Sequence, residues 1–210
     1  KVVAVIGPLR STQVQAASPT IAKAKLPAII GGSDPSLTRV NNPWIFRVRP
    51  NDFYSSRVVA EFGTKDLGKK KWAIIHSTDT FGANGKIALT AALKSLGIEP
   101  VLTQGFTSNQ QDFTAVVLSL KKSGADIVGS YIANSPDVGI LARQLRQLLP
   151  AVAQRVVGVV IGPVDPLLGV TTHQMHAVAV GHGPGHLGAR DGQRRARAPA
   201  PSPGPRRWTG

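Results

Sequence analysis

Three consecutive strand–loop–helix units between Trp72 and Leu149 constrain this chain more than any other feature. The apolar run Trp72–His76 leads through Ser77–Gly85 into a helix, and Pro100–Gln104 leads through Gly105–Gln111 into a second. Ile127–Tyr131 leads through Ile132–Ser135 into a third. Short apolar runs alternating with amphipathic helical stretches specify α/β layers built on parallel strands. Open sheets of that kind take ligands in the crevice outside the carboxyl ends of their strands.

The helices carry their own punctuation. After Asp112, a good N-cap, Phe113, Val116, Val117 and Leu120 fall on one stripe, and Lys121 and Lys122 suit the negative C-terminal end. Pro136 opens the helix after Ser135, as first helical positions favour, and Val138, Leu141, Leu145 and Leu148 line its apolar side. Earlier in the chain, Val2–Ile6 and Leu26–Ile30 read as strands, and Trp44–Val48 as a third. A helix capped by Ser11 or Thr12 offers Ala16, Ala17, Ile21 and Ala24 as its face, with Pro19 kinking it or delaying its start. Gly31–Pro35 forms a tight polar turn. Asn51–Asp52 caps a helix with Tyr54, Val58, Val59 and Phe62 on one side.

This grammar stops near Pro150. All eleven lysines precede residue 123, and Phe, Tyr, Asn, Glu and Lys are absent from 151–210. Gly181–Gly185 and Ala198–Pro205 cannot build a helix or a central strand; within the segment only Val156–Ile161 passes for one. The segment is expected to be an atypical unstructured tail. Translation of a GC-rich gene in a shifted frame explains its composition better than a genuine disordered region does, and the coding DNA after about residue 148 tests this.

The net charge of +14 invites a nucleic-acid reading. Residues 1–150, however, carry 18 Lys and Arg against 9 Asp and Glu, scattered over helix ends and surface positions, and a solvated surface is the expected reading. The tail arginines bind polyanions at most nonspecifically. No window approaches the ~20 apolar residues of a membrane span, and Lys1 runs directly into Val2–Ile6 without a secretory signal. With no cysteine, disulfides and thiolate metal sites are excluded. No cofactor motif appears, and His173, His176, His182 and His186 lie in Gly-rich sequence that fixes no metal geometry.

Six segments in order resemble a known family: Val5–Gln13, Pro27–Thr38, Ile45–Asp52, Ile74–Gly85, Thr107–Phe113, and Ala125–Val128 followed by Arg143–Leu148. Together they are similar to the periplasmic substrate-binding proteins of branched-chain amino-acid ABC transporters. The resemblance implies a partial two-lobe α/β fold with Rossmann-like parallel sheets, truncated at both ends. Residues 1–50 are then the latter part of the first lobe, 51–150 the beginning of the second, and 151–210 the atypical tail. It implies a periplasmic, non-enzymatic receptor that hands a small solute to a membrane permease, with no catalytic residue, no metal and no cofactor.

The resemblance also implies a site. Ser11, at a helix N-terminus where orphan amides and the dipole favour an anion, takes the ligand carboxylate with the backbone of Gly31 and the hydroxyl of Ser33. The residues alone allow a plainer reading, an N-cap at Ser11 and a turn at Gly31–Gly32. Phe81 covers the apolar part of the ligand from the second lobe, and Tyr131 reaches the cleft from the end of its strand. The acidic residue that neutralises a ligand ammonium falls after residue 150 and is not identified; Asp165 lies in unmatched sequence. The implied ligand is a branched-chain amino acid or a related small carboxylate or aromatic acid.

His76, at a strand end, is expected to be a hydrogen-bonded structural histidine rather than a catalyst. Two rival readings stand beside this one, the first of them sharing the two-lobe architecture. A transcription regulator's effector domain needs an upstream helix-turn-helix, and a nucleotide-using enzyme needs a glycine spacing that Gly7-Pro8-Leu9 lacks.

Overall fold

The computed structural model describes residues 2–148, together with the backbone of 157–161 and 176–178. Two separate sheets organise the chain. The first contains β1 (Val5–Ile6), β2 (Ala28–Ile30) and β3 (Ile45–Arg47), all parallel, in the order β1-β2-β3. Helix α1 (Ser11–Ala24) crosses from β1 to β2 and covers one face. A single 3₁₀ turn, Pro35–Thr38, interrupts the link from β2 to β3.

The second sheet contains β4 (Trp72–Ser77), β5 (Leu102–Phe106), β6 (Ile127–Tyr131), β7 (Val157–Ile161) and β8 (His176–Val178). Their order is β5-β4-β6-β7-β8, parallel except for β8 at the edge. Helix α3 (Thr80–Ser95) links β4 to β5, α4 (Thr114–Ser123) links β5 to β6, and α5 (Ser135–Leu148) follows β6. Because β5 and β6 flank β4, the crossover direction reverses there. The reversal falls between β4 and β6, the kind of switch point at which doubly wound sheets bind ligands.

Strand period fills both faces of this sheet. Trp72 and Ile74 join Ile127, Tyr131, Leu89, Leu93 and Val59 under α2 (Asp52–Glu61) and α3. Ala73 and Ile75 join Val128, Phe113, Val117 and Leu141 under α4 and α5. The expected stripes of α4 and α5 are buried as read, apart from Leu148 at the helix end. The three-stranded sheet differs. Ala28, Ile30 and Ile45 pack with Val14 and Leu37, while the alternate residues Ile29 and Phe46 face outward, 36% and 51% exposed.

Several expectations need correction. Helix α1 starts at Ser11 and runs through Pro19, and its buried residues are Ser11 and Val14, with Ile21 against them; Ala16 and Ala24 are exposed. Helix α2 buries Asp52, Ser56, Val59 and Ala60, not Tyr54 and Val58, which are 67% and 50% exposed. That stripe continues into Gly63, where a Cβ would meet the Trp72 ring at 2.4 Å; small residues let α2 and the turn after it lie close to the sheet. From the tail, Val157–Ile161 forms β7, within the run expected to be a strand. β8 adds an edge strand that composition did not announce, and the remaining expectations for the tail lie outside the described residues.

Candidate functional site

The first half of the site is built where β1 and β2 end. Gly31 donates its amide to the carbonyl of Pro8 at 3.1 Å, tying the two loops together. A Cβ at Gly31 would lie 2.9 Å from Leu9 Cδ2, so the approach suits a residue without a side chain. Ser11 is the first residue of α1 and only 1% exposed. Its Oγ does not cap its own helix but accepts the amide of Asp34 at 3.2 Å.

The loop 31–34 is held by the last residue of β3 and the segment that follows it. Arg49 donates to the Gly31 carbonyl at 3.4 Å, the Asp52 amide to the Ser33 carbonyl at 2.9 Å, and Arg47 to the Asp34 carbonyl at 2.7 Å. Three carbonyls of one short loop are thereby engaged on one side. Ser33 is itself 3% exposed.

The second half is the N-terminus of α3. Asp79 caps it, accepting the Gly82 amide at 2.9 Å, and is held in turn by the Ser108 hydroxyl at 3.1 Å. Phe81, in the first turn, is half-buried with its ring 5.4 Å from that of Tyr131. Tyr131 does not reach the cleft as expected. Its ring is fully enclosed beneath α3, where Gly85 leaves room for it, and its hydroxyl lies 2.5 Å from Ser56 Oγ. The side chain of a strand's last residue takes whichever face the pleat dictates, and here that face is the core. His76 is also buried, with Nδ1 2.9 Å from the Ser77 carbonyl.

The two halves meet along a polar seam. Asn84, one turn beyond Phe81, donates to Asp34 Oδ2 at 2.8 Å, and Thr80 bonds Gln15 of α1. Arg10 donates to Asn134 Oδ1 at 3.1 Å; Asn134, in the loop after β6, donates in turn to Asn109 at 2.9 Å. Ser11, Gly31 and Ser33 therefore lie in the loops on one side of this seam, with Thr80 and Asn84 of α3 opposite them, while the Phe81 ring between those two residues packs on the buried Tyr131. Asp34, Asn84, Arg10 and Asn134 were missed by sequence reasoning. Asp34 did carry a signal, since an Asp before Pro-Ser forms an Asx turn, here bonding Ser36 N at 2.9 Å.

Asp52 stands behind the seam, 1% exposed, and neither carboxylate oxygen finds a hydrogen-bond donor at full bonding geometry among the described residues. Burial pushes its pKa up to about 6. The nearby Ser33 hydroxyl, Arg49 and Arg47 oppose that rise, while Asp34 adds to it. Burial likewise raises the Tyr131 phenol, with the Asp52 charge second.

A cavity of about 500 Å³ lies elsewhere, between α2 and α3, lined by Phe53, Arg57, Glu61, Ala88 and Leu96 among others; it touches none of the predicted site residues. Among the described residues no group of His, Asp or Glu side chains could hold a metal ion.

The family model described as periplasmic binding protein matches residues 1–167, so the resemblance runs past Pro150 and takes in Asp165, against the expectation that it lies in unmatched sequence. The chain is 34% identical over 149 residues to an amino acid binding protein of Pseudomonas aeruginosa, covering 70% of this chain and 39% of that protein. Among solved structures it is similar to a leucine binding protein of Thermotoga maritima, with 23% identity, a TM-score of 0.64, and coverage of 70% and 41% of the two chains. It is also similar to an ABC-transporter solute binding protein of Rhodopseudomonas palustris solved with p-hydroxybenzoic acid, with 22% identity, a TM-score of 0.65, and coverage of 77% and 43%. The chain thus spans about two fifths of the length of these relatives.

Proposed function

Because this chain belongs to the periplasmic binding protein family, we propose that it forms part of a periplasmic, non-catalytic receptor for an ABC importer. In this reading a small carboxylate, either a branched-chain amino acid or an aromatic acid, sits between two lobes, and a membrane permease receives it. Residues 1–50 supply one lobe and residues 51–150 begin the other. The packing of α2 against α3 supports that boundary, with Pro50–Asn51 taking up the rotation.

The observation that carries the proposal is the convergence of a helix N-terminus with a buried serine at Ser11 and the braced loop Gly31–Asp34 upon the N-terminus of α3 with Phe81. Two helix N-termini at one seam place partial positive charge where a carboxylate would lie. Ser11 and Ser33 hydroxyls and the loop's amides supply donors without a full cation, and Phe81 supplies the apolar wall. Ligand affinity for the closed arrangement over the open one would then hold the lobes together.

Titration of the 210-residue chain with leucine and with 4-hydroxybenzoate, followed by calorimetry, tests this. Binding of at least one is expected, and Ser33→Ala should weaken it roughly ten- to 150-fold, the loss of one hydrogen bond to a charged group. Binding of neither acid, or binding indifferent to Ser33, would refute the proposal.

A further inference from the structure

Most of the groups around the seam are accounted for by capping and bracing, but one is not. Asp52 is enclosed, ionisable and left without a full partner at either oxygen. We infer that Asp52 is a positioning residue for the cleft, and that its ionisation state sets how tightly a carboxylate ligand is held. The inference rests on the receptor reading above and names a control on that same site.

Asp52 touches both halves of the site through its neighbours. Its amide holds the Ser33 carbonyl at 2.9 Å, and its carboxylate lies near the Ser33 hydroxyl. Its own carbonyl lies 3.5 Å from the Tyr131 hydroxyl, which also meets Ser56 Oγ at 2.5 Å. Tyr131 then packs on Phe81 at 5.4 Å. A continuous buried path therefore runs from the loop offered to the ligand's carboxylate to the aromatic wall on the other side. Buried polar groups of this kind are costly unless satisfied and hold their neighbours to one geometry when they are.

The charged groups facing Asp52 are Arg47 and Arg49 from the segment around the end of β3, Asp34 from the loop before it and, from β6, the Tyr131 phenol. The two guanidinium groups are already committed to loop carbonyls and reach neither Asp52 oxygen with a hydrogen bond. An anion arriving at Ser11 and Ser33 adds a second negative charge beside a carboxylate shielded from water, where Coulomb repulsion is weakly screened. Protonating Asp52 removes that repulsion and frees a donor for the Ser33 side. By linkage, anion binding and proton uptake at Asp52 promote one another. Affinity for a carboxylate should therefore rise as pH falls through about 6, where Asp52 titrates.

Affinity of the full chain for leucine and 4-hydroxybenzoate, measured by calorimetry from pH 5 to pH 8, provides the test. The parent chain is expected to bind 4-hydroxybenzoate about three- to tenfold more tightly at pH 5 than at pH 8, with proton uptake visible as a dependence of heat on the buffer. Asp52→Asn, isosteric and neutral, is expected to bind at pH 8 as tightly as the parent does at pH 5 and to lose both the slope and the proton uptake. Tyr131→Phe keeps the ring on Phe81 but removes the hydroxyl, and should weaken binding at every pH while leaving the slope.

A purely structural Asp52 would leave the parent's profile flat, or give Asp52→Asn a slope parallel to it, and either result overturns the inference while the receptor reading stands. Should Asp52→Asn fail to fold, buffer-dependent proton uptake by the parent chain decides the matter alone. Failure of the parent to bind either acid at any pH overturns both readings.

Discussion

A single carboxylate shows how much one residue can weigh in this molecule. Asp52 would ordinarily titrate near 3.8, but in the fold it does so near 6. Between those values the folded chain holds a proton that the unfolded chain has lost, so stability rises as pH falls from above 6 toward 4 and then levels. Above pH 6 the ionised group costs the full difference, on the order of 2–3 kcal/mol. Asp52→Asn is accordingly expected to be more stable than the parent at pH 7.5, with the advantage vanishing near pH 4. Denaturant midpoints at four pH values would show it, and parallel curves would mean that the carboxylate is solvated. The effect is invisible in sequence, because an Asp following Asn at a helix start reads as an ordinary surface residue of the first turn.

At the scale of elements, two glycines in helices make opposite predictions. Gly85 in α3 faces Tyr131, where a Cβ would lie 2.0 Å from the ring, whereas Gly139 in α5 has nothing within 4 Å. Alanine at Gly139 is expected to stabilise by about 0.5–1 kcal/mol through chain entropy. At Gly85 the same gain is overwhelmed by overpacking, leaving a net loss of about 1–3 kcal/mol; thermal unfolding of both variants checks the contrast. The elements between β4 and α5 were legible because each unit carries several agreeing signals. Asp112 receives Thr114 N at 2.8 Å, and Phe113, Val116, Val117 and Leu120 are all buried. Helices α1 and α2 were misread for the opposite reason. Their contact faces are small or polar, Ser11 with Val14 and Asp52-Ser56-Val59-Ala60, while larger apolar side chains such as Tyr54 and Val58 point outward. A hydrophobicity pattern finds grease, not close approach. The same limit hid Tyr131, whose burial depends on Gly85 in a different element, and the partnership of Asp34 with Asn84, fifty positions apart.

Across the whole molecule the two sheets are unequally protected. Strands β4 and β6 of the larger sheet are buried on both faces, but the three-stranded sheet leaves Ile29, Phe46 and the 86%-exposed Ile6 open. Parallel strands normally bury both faces, so this bare side should bind a hydrophobic dye and drive association of the chain as concentration rises. Replacing Ile29 and Phe46 by threonine is expected to lower dye fluorescence and shift light scattering toward monomer; an unchanged signal would place the sticky surface elsewhere.

The joint between the two sheet units behaves differently. It is fastened by Asp34 with Asn84, Arg10 with Asn134 and Thr80 with Gln15, all polar side chains. Water is a ready substitute for each of these bonds. Parting the units therefore exchanges these fastenings for bonds to water at little cost, so a molecule lodged there would need to contribute only modest attraction to decide whether the jaws stay shut.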